Sequence, residues 1–145
     1  MIRRLLSLLL LVAALGTMGG CATNRASASL MLGADLSKVR TMYVVKTPED
    51  GRGIDELIKT NLQRRGYQVT GGPALKPPYT ADAVVTYIDK WYWDITMYLL
   101  QLTITVRDPS EFPLANGSSL HTSLTRKSPP EMVDEVLTNI VNAKH

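Results

Sequence analysis

Two histidines, His121 and His145, and one cysteine, Cys21, are the side chains best suited to nucleophilic or general-base chemistry in this 145-residue chain. Such chemistry needs a nucleophile and a base that can meet. His145 is the last residue, and no serine sits in the Gly-x-Ser-x-Gly elbow that exposes a hydrolase nucleophile. His121 lies between Leu120 and Thr122 and reads as a residue on the wet face of a strand. A serine hydrolase working through His121 is the remaining enzymatic reading. No His/Cys grouping has metal-ligand spacing, so no metal or cofactor is expected. Gly51-Arg52-Gly53 lacks the lysine and the full glycine pattern of a phosphate loop and reads as the turn opening a helix. Asp89 and Asp94 differ in strand parity, which places them on opposite faces and argues against a paired-carboxylate site. Glu131, Asp134 and Glu135 begin a helix, where acids suit the dipole. No catalytic residue is assigned.

The segment Tyr87-Ile88-Asp89-Lys90-Trp91-Tyr92-Trp93-Asp94 holds both tryptophans of the chain. Strand alternation sets Tyr87, Asp89, Trp91 and Trp93 on one face and Ile88, Lys90 and Tyr92 on the other. Either the tryptophans fill the core, or the strand carries aromatic area to a partner or a lipid surface. Tyr87, Trp91 and Trp93 are therefore the candidate partner-binding residues.

Position 21 offers different chemistry. Arg3 and Arg4 precede an apolar run from Leu5 to Leu15, and Met18-Gly19-Gly20-Cys21 closes it. Basic, apolar and small residues in that order form a secretory signal. The run is shorter than the roughly 20 residues of a membrane span. This stretch resembles the lipobox signal of bacterial lipoproteins. The resemblance implies cleavage between Gly20 and Cys21 and acylation of Cys21, with palmitate among the usual chains. Each buried methylene contributes about 0.8 kcal/mol, so several acyl chains hold a protein on a membrane without a spanning helix. Ala22 and Thr23 follow where an acid commonly marks inner-membrane retention, which implies the periplasmic face of the outer membrane. With Cys21 acylated no disulfide is available, and stability must come from a packed core.

Losing residues 1–20 removes two arginines and no acid, lowering the formal charge from +3 to about +1. That near-neutral balance gives no case for nucleic acid, which calls for a clustered basic stripe. Arg64-Arg65 and Arg126-Lys127 read as solvated surface. Residues 21–35 read as the lipidated cysteine and a flexible tether, because Ala22 to Ser29 are small and polar.

A globular domain over 36–145 must position everything else. Thr41 to Val45 reads as a strand, and Ile54, Leu57, Ile58 and Leu62 place one apolar face on a helix from about Gly53 to Arg65. Gly66 fits the left-handed cap, and Tyr67 to Thr70 returns as a strand. After the Gly71 to Thr80 loop come strands from about Ala83 to Asp94 and Tyr98 to Arg107. In the latter, Tyr98, Leu100, Leu102, Ile104 and Val106 share one face. Asp108-Pro109-Ser110 and Asn116-Gly117 mark a turn-rich link before a strand over Ser118 to Arg126. Ser128-Pro129-Pro130-Glu131 then opens a final helix with a capping box, whose apolar stripe is Met132, Val133, Val136, Leu137, Ile140 and Val141. The fold class is α+β: a two-layer sandwich with a mainly antiparallel or mixed sheet of about four to five strands and two helices on one face.

The aromatic strand and the Asp108-Pro109 turn are similar to those of small bacterial envelope lipoproteins of unassigned function. More loosely, the element order resembles the lipopolysaccharide-assembly lipoprotein and TolB amino-terminal-like domains. These readings imply a non-enzymatic, lipid-anchored periplasmic lipoprotein acting in binding or scaffolding, with another envelope protein as partner. The alternative is an auxiliary lipoprotein of an envelope lipid or lipopolysaccharide transport system. That role requires an apolar pocket lined by Leu100, Leu102, Val136 and Ile140.

Overall fold

The computed structural model describes residues 24–144. Gly20, Cys21 and the start of the expected tether lie outside them, as does His145. The strands are β1 (Arg25–Leu30), β2 (Thr41–Val45), β3 (Gln68–Gly72), β4 (Ala83–Asp94), β5 (Thr96–Arg107) and β6 (Pro113–Leu120). The helices are α1 (Ile54–Arg64) and α2 (Pro129–Asn142), with short 3-10 turns at Leu36–Lys38 and Ser123–Thr125. All six strands join one sheet in the order β1-β6-β5-β4-β2-β3. β2 pairs in parallel with β3 and β4, and the remaining pairs are antiparallel. The class is thus α+β with a mixed sheet, but with six strands rather than four or five.

The additional strand comes from the segment expected as a tether. Arg25–Leu30 pairs along its whole length with β6, from Arg25 opposite Leu120 to Leu30 opposite Ala115. Its composition is poor for a strand; the unpaired edge of β6 supplies the backbone partners, and Ala28 and Leu30 pack partly on the core. β6 also begins earlier than expected. Asn116 and Gly117 lie inside it, and the chain leaves it after Leu120 instead of running extended to Arg126.

One continuous apolar cluster links both helices to the sheet. Ile54, Ile58 and Leu62 enter it from α1, and Met132, Val133, Val136, Leu137 and Ile140 from α2. Val141, expected in the same stripe, is exposed. Gly66 ends α1 at φ 96°, a conformation open to glycine without steric cost. The capping box of α2 forms as the sequence dictates, with Glu131 accepting from the Ser128 N–H at 2.8 Å. Arg65 ties the helices together, reaching Asn61 Oδ1 at 2.7 Å, Asp134 Oδ1 at 3.0 Å and Thr138 Oγ1 at 2.8 Å. It is therefore an inter-helix bridge and not free surface.

β5 does not keep strict alternation. Lys90 pairs with Gln101, but Trp91 pairs with Leu99, leaving Leu100 as an extra residue in β5. The Leu100 carbonyl instead accepts from the His121 N–H at 3.0 Å. This bulge reverses the parity, so Leu99 joins Leu102, Ile104 and Val106 in the core while Leu100 leaves it. The apolar pocket expected near Leu100, Leu102, Val136 and Ile140 is filled by packing. Leu102, Val136 and Ile140 are fully buried, and a Cβ on Gly117 would stand 2.7 Å from Ile140 Cγ1 and 3.1 Å from Val136 Cγ1.

Candidate binding surface and the polar clusters behind it

The three aromatic residues expected on one binding face have three different fates. Tyr87 is buried where β4 lies under the start of α1. Its hydroxyl donates to Asp50 Oδ2 at 2.6 Å and accepts from Thr47 Oγ1 at 3.3 Å. Asp50 also accepts from the N–H groups of Arg52 (2.9 Å), Gly53 (2.8 Å) and Asp55 (3.1 Å). Its carboxylate thus fills the N-terminal end of α1, where Gly53 turns at φ 73°. Gly51-Arg52-Gly53 is the helix-opening turn its sequence suggested, with an internal anion already in place. Burial pushes the Asp50 carboxyl up, but the Tyr87 and backbone hydrogen bonds outweigh it and hold it below the ordinary aspartate value. Burial, and then the bond to Asp50, push the Tyr87 phenol above its ordinary value. Tyr87 is therefore a framework residue and not part of a contact surface.

Trp91 is intermediate. Its ring packs against the core, its Nε1–H donates to Asp89 Oδ2 at 2.6 Å, and the Arg52 guanidinium lies 4.2 Å from the ring centroid. That stacked cation covers the indole from the solvent side. Beyond it no helix covers β4. Trp93 is 66% exposed, Ile95 at the turn is 87% exposed, and Tyr92 and Met97 are also exposed. Tyr92 meets Tyr98 edge-on at 6.1 Å, and Arg126 stacks 4.6 Å above Tyr98. Arg126 also donates to Thr96 Oγ1 at 2.7 Å and to Ser123 Oγ at 2.9 Å. This draws in the Ser123–Thr125 turn, whose Leu124 is 89% exposed. Sequence parity assigned the face of Trp93 but not its exposure; Ile95 and Leu124 were not singled out at all.

His121 is buried, contrary to its expected place on a wet face. β6 ends at Leu120, and the chain turns His121 toward α2. Its Nε2 lies 2.7 Å from Glu135 Oε2. The same carboxylate oxygen accepts from Ser119 Oγ at 2.5 Å, and Lys127 Nζ reaches Oε1 at 3.0 Å. Burial pushes the Glu135 carboxyl up, but hydrogen bonds from Ser119, His121 and Lys127 outweigh it and hold it at about 2. Serine, histidine and carboxylate do meet here, but in the wrong order for hydrolysis. A catalytic serine must give its proton to the histidine, whereas Ser119 and His121 both donate to Glu135. With Nε2 as donor, His121 Nδ1 is the free acceptor, and it is buried with no hydrogen-bond partner among the described residues. The cluster fastens α2 to β6. Glu135 thus does more than suit a helix dipole, and Lys127 is more than solvated surface.

Among the described residues no three His, Cys, Asp or Glu side chains gather at metal-binding distance, and no helix is long and apolar enough to cross a membrane. No family model and no curated protein matches the chain. Among solved structures it is similar to the PelC dodecamer from Paraburkholderia phytofirmans, at 14% identity and a TM-score of 0.58 over 85% of this chain and 100% of PelC. TolB from Acinetobacter baumannii matches at 15% identity and a TM-score of 0.46, over 81% of this chain and 31% of TolB. A minor lipoprotein from Acinetobacter baumannii matches at 12% identity and a TM-score of 0.35, over 70% of this chain and 87% of the lipoprotein. The PelC likeness is one of fold.

Proposed function

We propose that this chain is a non-enzymatic, lipid-anchored lipoprotein of the bacterial envelope, held at the periplasmic face of the outer membrane by acylated Cys21. There it acts as a binding and scaffolding component. The observation that carries this reading is the pair of open sheet edges. β1 and β3 end the sheet on opposite sides, each with one row of backbone donors and acceptors that no described strand covers. Such rows accept an added strand. β1 is built of Arg, Ala, Ser and Leu, and β3 ends in Gly71-Gly72, so short side chains leave room for another backbone. Two different edges on opposite sides make a head-to-tail contact, which closes into a ring when the rotation fits. The PelC of similar fold is a dodecamer, which makes a further copy of this chain the first partner to test.

Purification of the acylated protein in detergent, with crosslinking and mass measurement, tests this reading. Multiples of the protomer mass, or a fixed second envelope protein, are expected. A chain recovered strictly alone counts against scaffolding. Mass spectrometry of the mature amino terminus tests the anchor separately, and an unmodified Cys21 removes it.

A further inference from the structure

The sheet register fixes where the anchor leaves the domain. β1 and β5 run in the same direction, because both are antiparallel to β6, and Arg25, Leu120 and Gln101 stand in one row. Upstream of Gln101, β5 continues to the hairpin turn at Ile95, six residues or about 20 Å beyond that row. Upstream of Arg25 the chain departs from the same end of the sheet. Cys21 is four residues away, within reach of at most about 14 Å. Asn24 is tied to this end by the hydrogen bond from Thr125, and Arg126 next to it binds Thr96 beside the turn. The described chain therefore begins on the side of the domain that carries the hairpin tip.

What the tip presents is apolar and aromatic. Trp93, Ile95 and Met97 are exposed on the hairpin, and Leu124 is exposed on the neighbouring turn. Ile95 holds φ at 59°, where a β-branched residue is strained and glycine or asparagine is at ease. Local conformation thus disfavours isoleucine there, and water disfavours its exposed side chain. A hydrocarbon contact is the environment that rewards it. Indole groups settle where an apolar leaflet meets headgroups. Arg126 supplies a cation beside the tip, with Lys90 further down the outer face of β4, while Asp94 is the acid adjoining the turn.

We propose that the β4–β5 tip enters the same lipid leaflet that holds the acyl chains of Cys21. Trp93, Ile95 and Met97 form a second membrane contact that fixes the orientation of the domain. This rests on the lipid-anchor reading above. A leash alone lets the domain tumble; two contacts at one end set the sheet upright on the membrane and leave the β1 and β3 edges facing sideways.

The test uses the full acylated protein carrying Trp91→Phe, so that Trp93 is the only tryptophan. It is reconstituted into phosphatidylethanolamine–phosphatidylglycerol vesicles with or without bromine on the acyl chains. Trp93 emission is expected to fall at least twofold in the brominated vesicles. The reciprocal Trp93→Phe protein, reporting Trp91 beneath Arg52, should lose little. Adding Ile95→Asn to Trp91→Phe keeps the fold, because asparagine tolerates φ near 59°; melting should hold or rise while the quenching drops at least twofold. Equal Trp93 emission in both vesicle types overturns the proposal. So does a concentration-dependent blue shift of Trp93 in detergent without bromine quenching, which assigns the tip to a second copy. Intact mass of the same samples separates the two readings. Acylated Cys21 with unquenched Trp93 refutes the tip contact and spares the anchor, whereas unmodified Cys21 refutes the anchor and with it the geometry behind this inference.

Discussion

Glu135 is the group whose protonation should weigh most on the stability of this domain. Its carboxylate accepts from Ser119, His121 and Lys127 and sits 21% exposed between β6 and α2. Folding lowers its pKa from 4.5 to about 2. A carboxyl whose folded pKa is depressed contributes stability that is present above the unfolded value and lost as pH falls through the folded one. The window therefore runs from about pH 5 down to about pH 2. At about 1.4 kcal/mol for each tenfold change in proton affinity, the drop amounts to about 3 kcal/mol. Other acids also titrate in that range, Asp50 among them. The informative quantity is consequently the difference between the natural protein and Glu135→Gln, in which shared contributions cancel. Glutamine keeps the shape and one acceptor but cannot ionise. Urea unfolding in steps from pH 7 to pH 2 should show the natural protein more stable by about 2–3 kcal/mol above pH 5, with the gap closing toward pH 2. A gap that stays constant across that range would refute the assignment of the charge-dependent stability to Glu135.

Gly117→Ala should destabilise by about 1–2 kcal/mol in equilibrium unfolding, because the added methyl meets Ile140 Cγ1 at 2.7 Å. Combined with Ile140→Ala, the cost should fall at least about 1 kcal/mol short of the sum of the single changes, and simple additivity would contradict the packing argument. Tyr87→Phe removes the 2.6 Å donor from buried Asp50 and should cost about 2 kcal/mol; an unchanged denaturation midpoint would show that Asp50 is satisfied without it.

The parts of the fold legible in the sequence are those set by nearest neighbours along the chain. Ser128, Pro129 and Glu131 specify the start of α2 because a capping box closes within four residues. Ile54, Ile58 and Leu62 specify the buried face of α1 because one helix carries them all. Asn116-Gly117 reads as a turn on the same local grounds, yet it lies inside β6. The glycine is needed because Ile140 and Val136 approach the strand there, and that approach depends on a helix that comes later in the chain. Ala26, Ser27, Ala28 and Ser29 carry no strand signal of their own, and their pairing is dictated by the open edge of β6. The bulge at Leu100 shifts the first part of β5, Thr96 to Leu99, to the opposite parity, and no local residue announces it. The polar clusters were hidden for the same reason. Asp50 and Glu135 look like ordinary acids near helix starts, and their partners come from distant strands.

The aromatic strand shows most directly what alternation can and cannot specify. Tyr87, Trp91 and Trp93 share parity on β4, and parity correctly puts them on one face. Their exposure nevertheless rises along the strand, from a buried tyrosine to a half-covered tryptophan to one that is 66% exposed. The cause is the extent of the cover and not the face. The opening turn of α1 reaches Tyr87 through Asp50 and Trp91 through Arg52, and β4 continues past it to Asp94. Had the hairpin ended at the Gln101–Leu120–Arg25 row, Tyr87 would be the one inward aromatic of β4, and it is buried. Past Trp91 and Leu99, which still reach the core, the side chains of Tyr92, Trp93, Ile95 and Met97 are exposed. Those four are apolar or aromatic, with the isoleucine at φ 59°, and a partner outside the domain is the environment the proposed leaflet contact supplies for them.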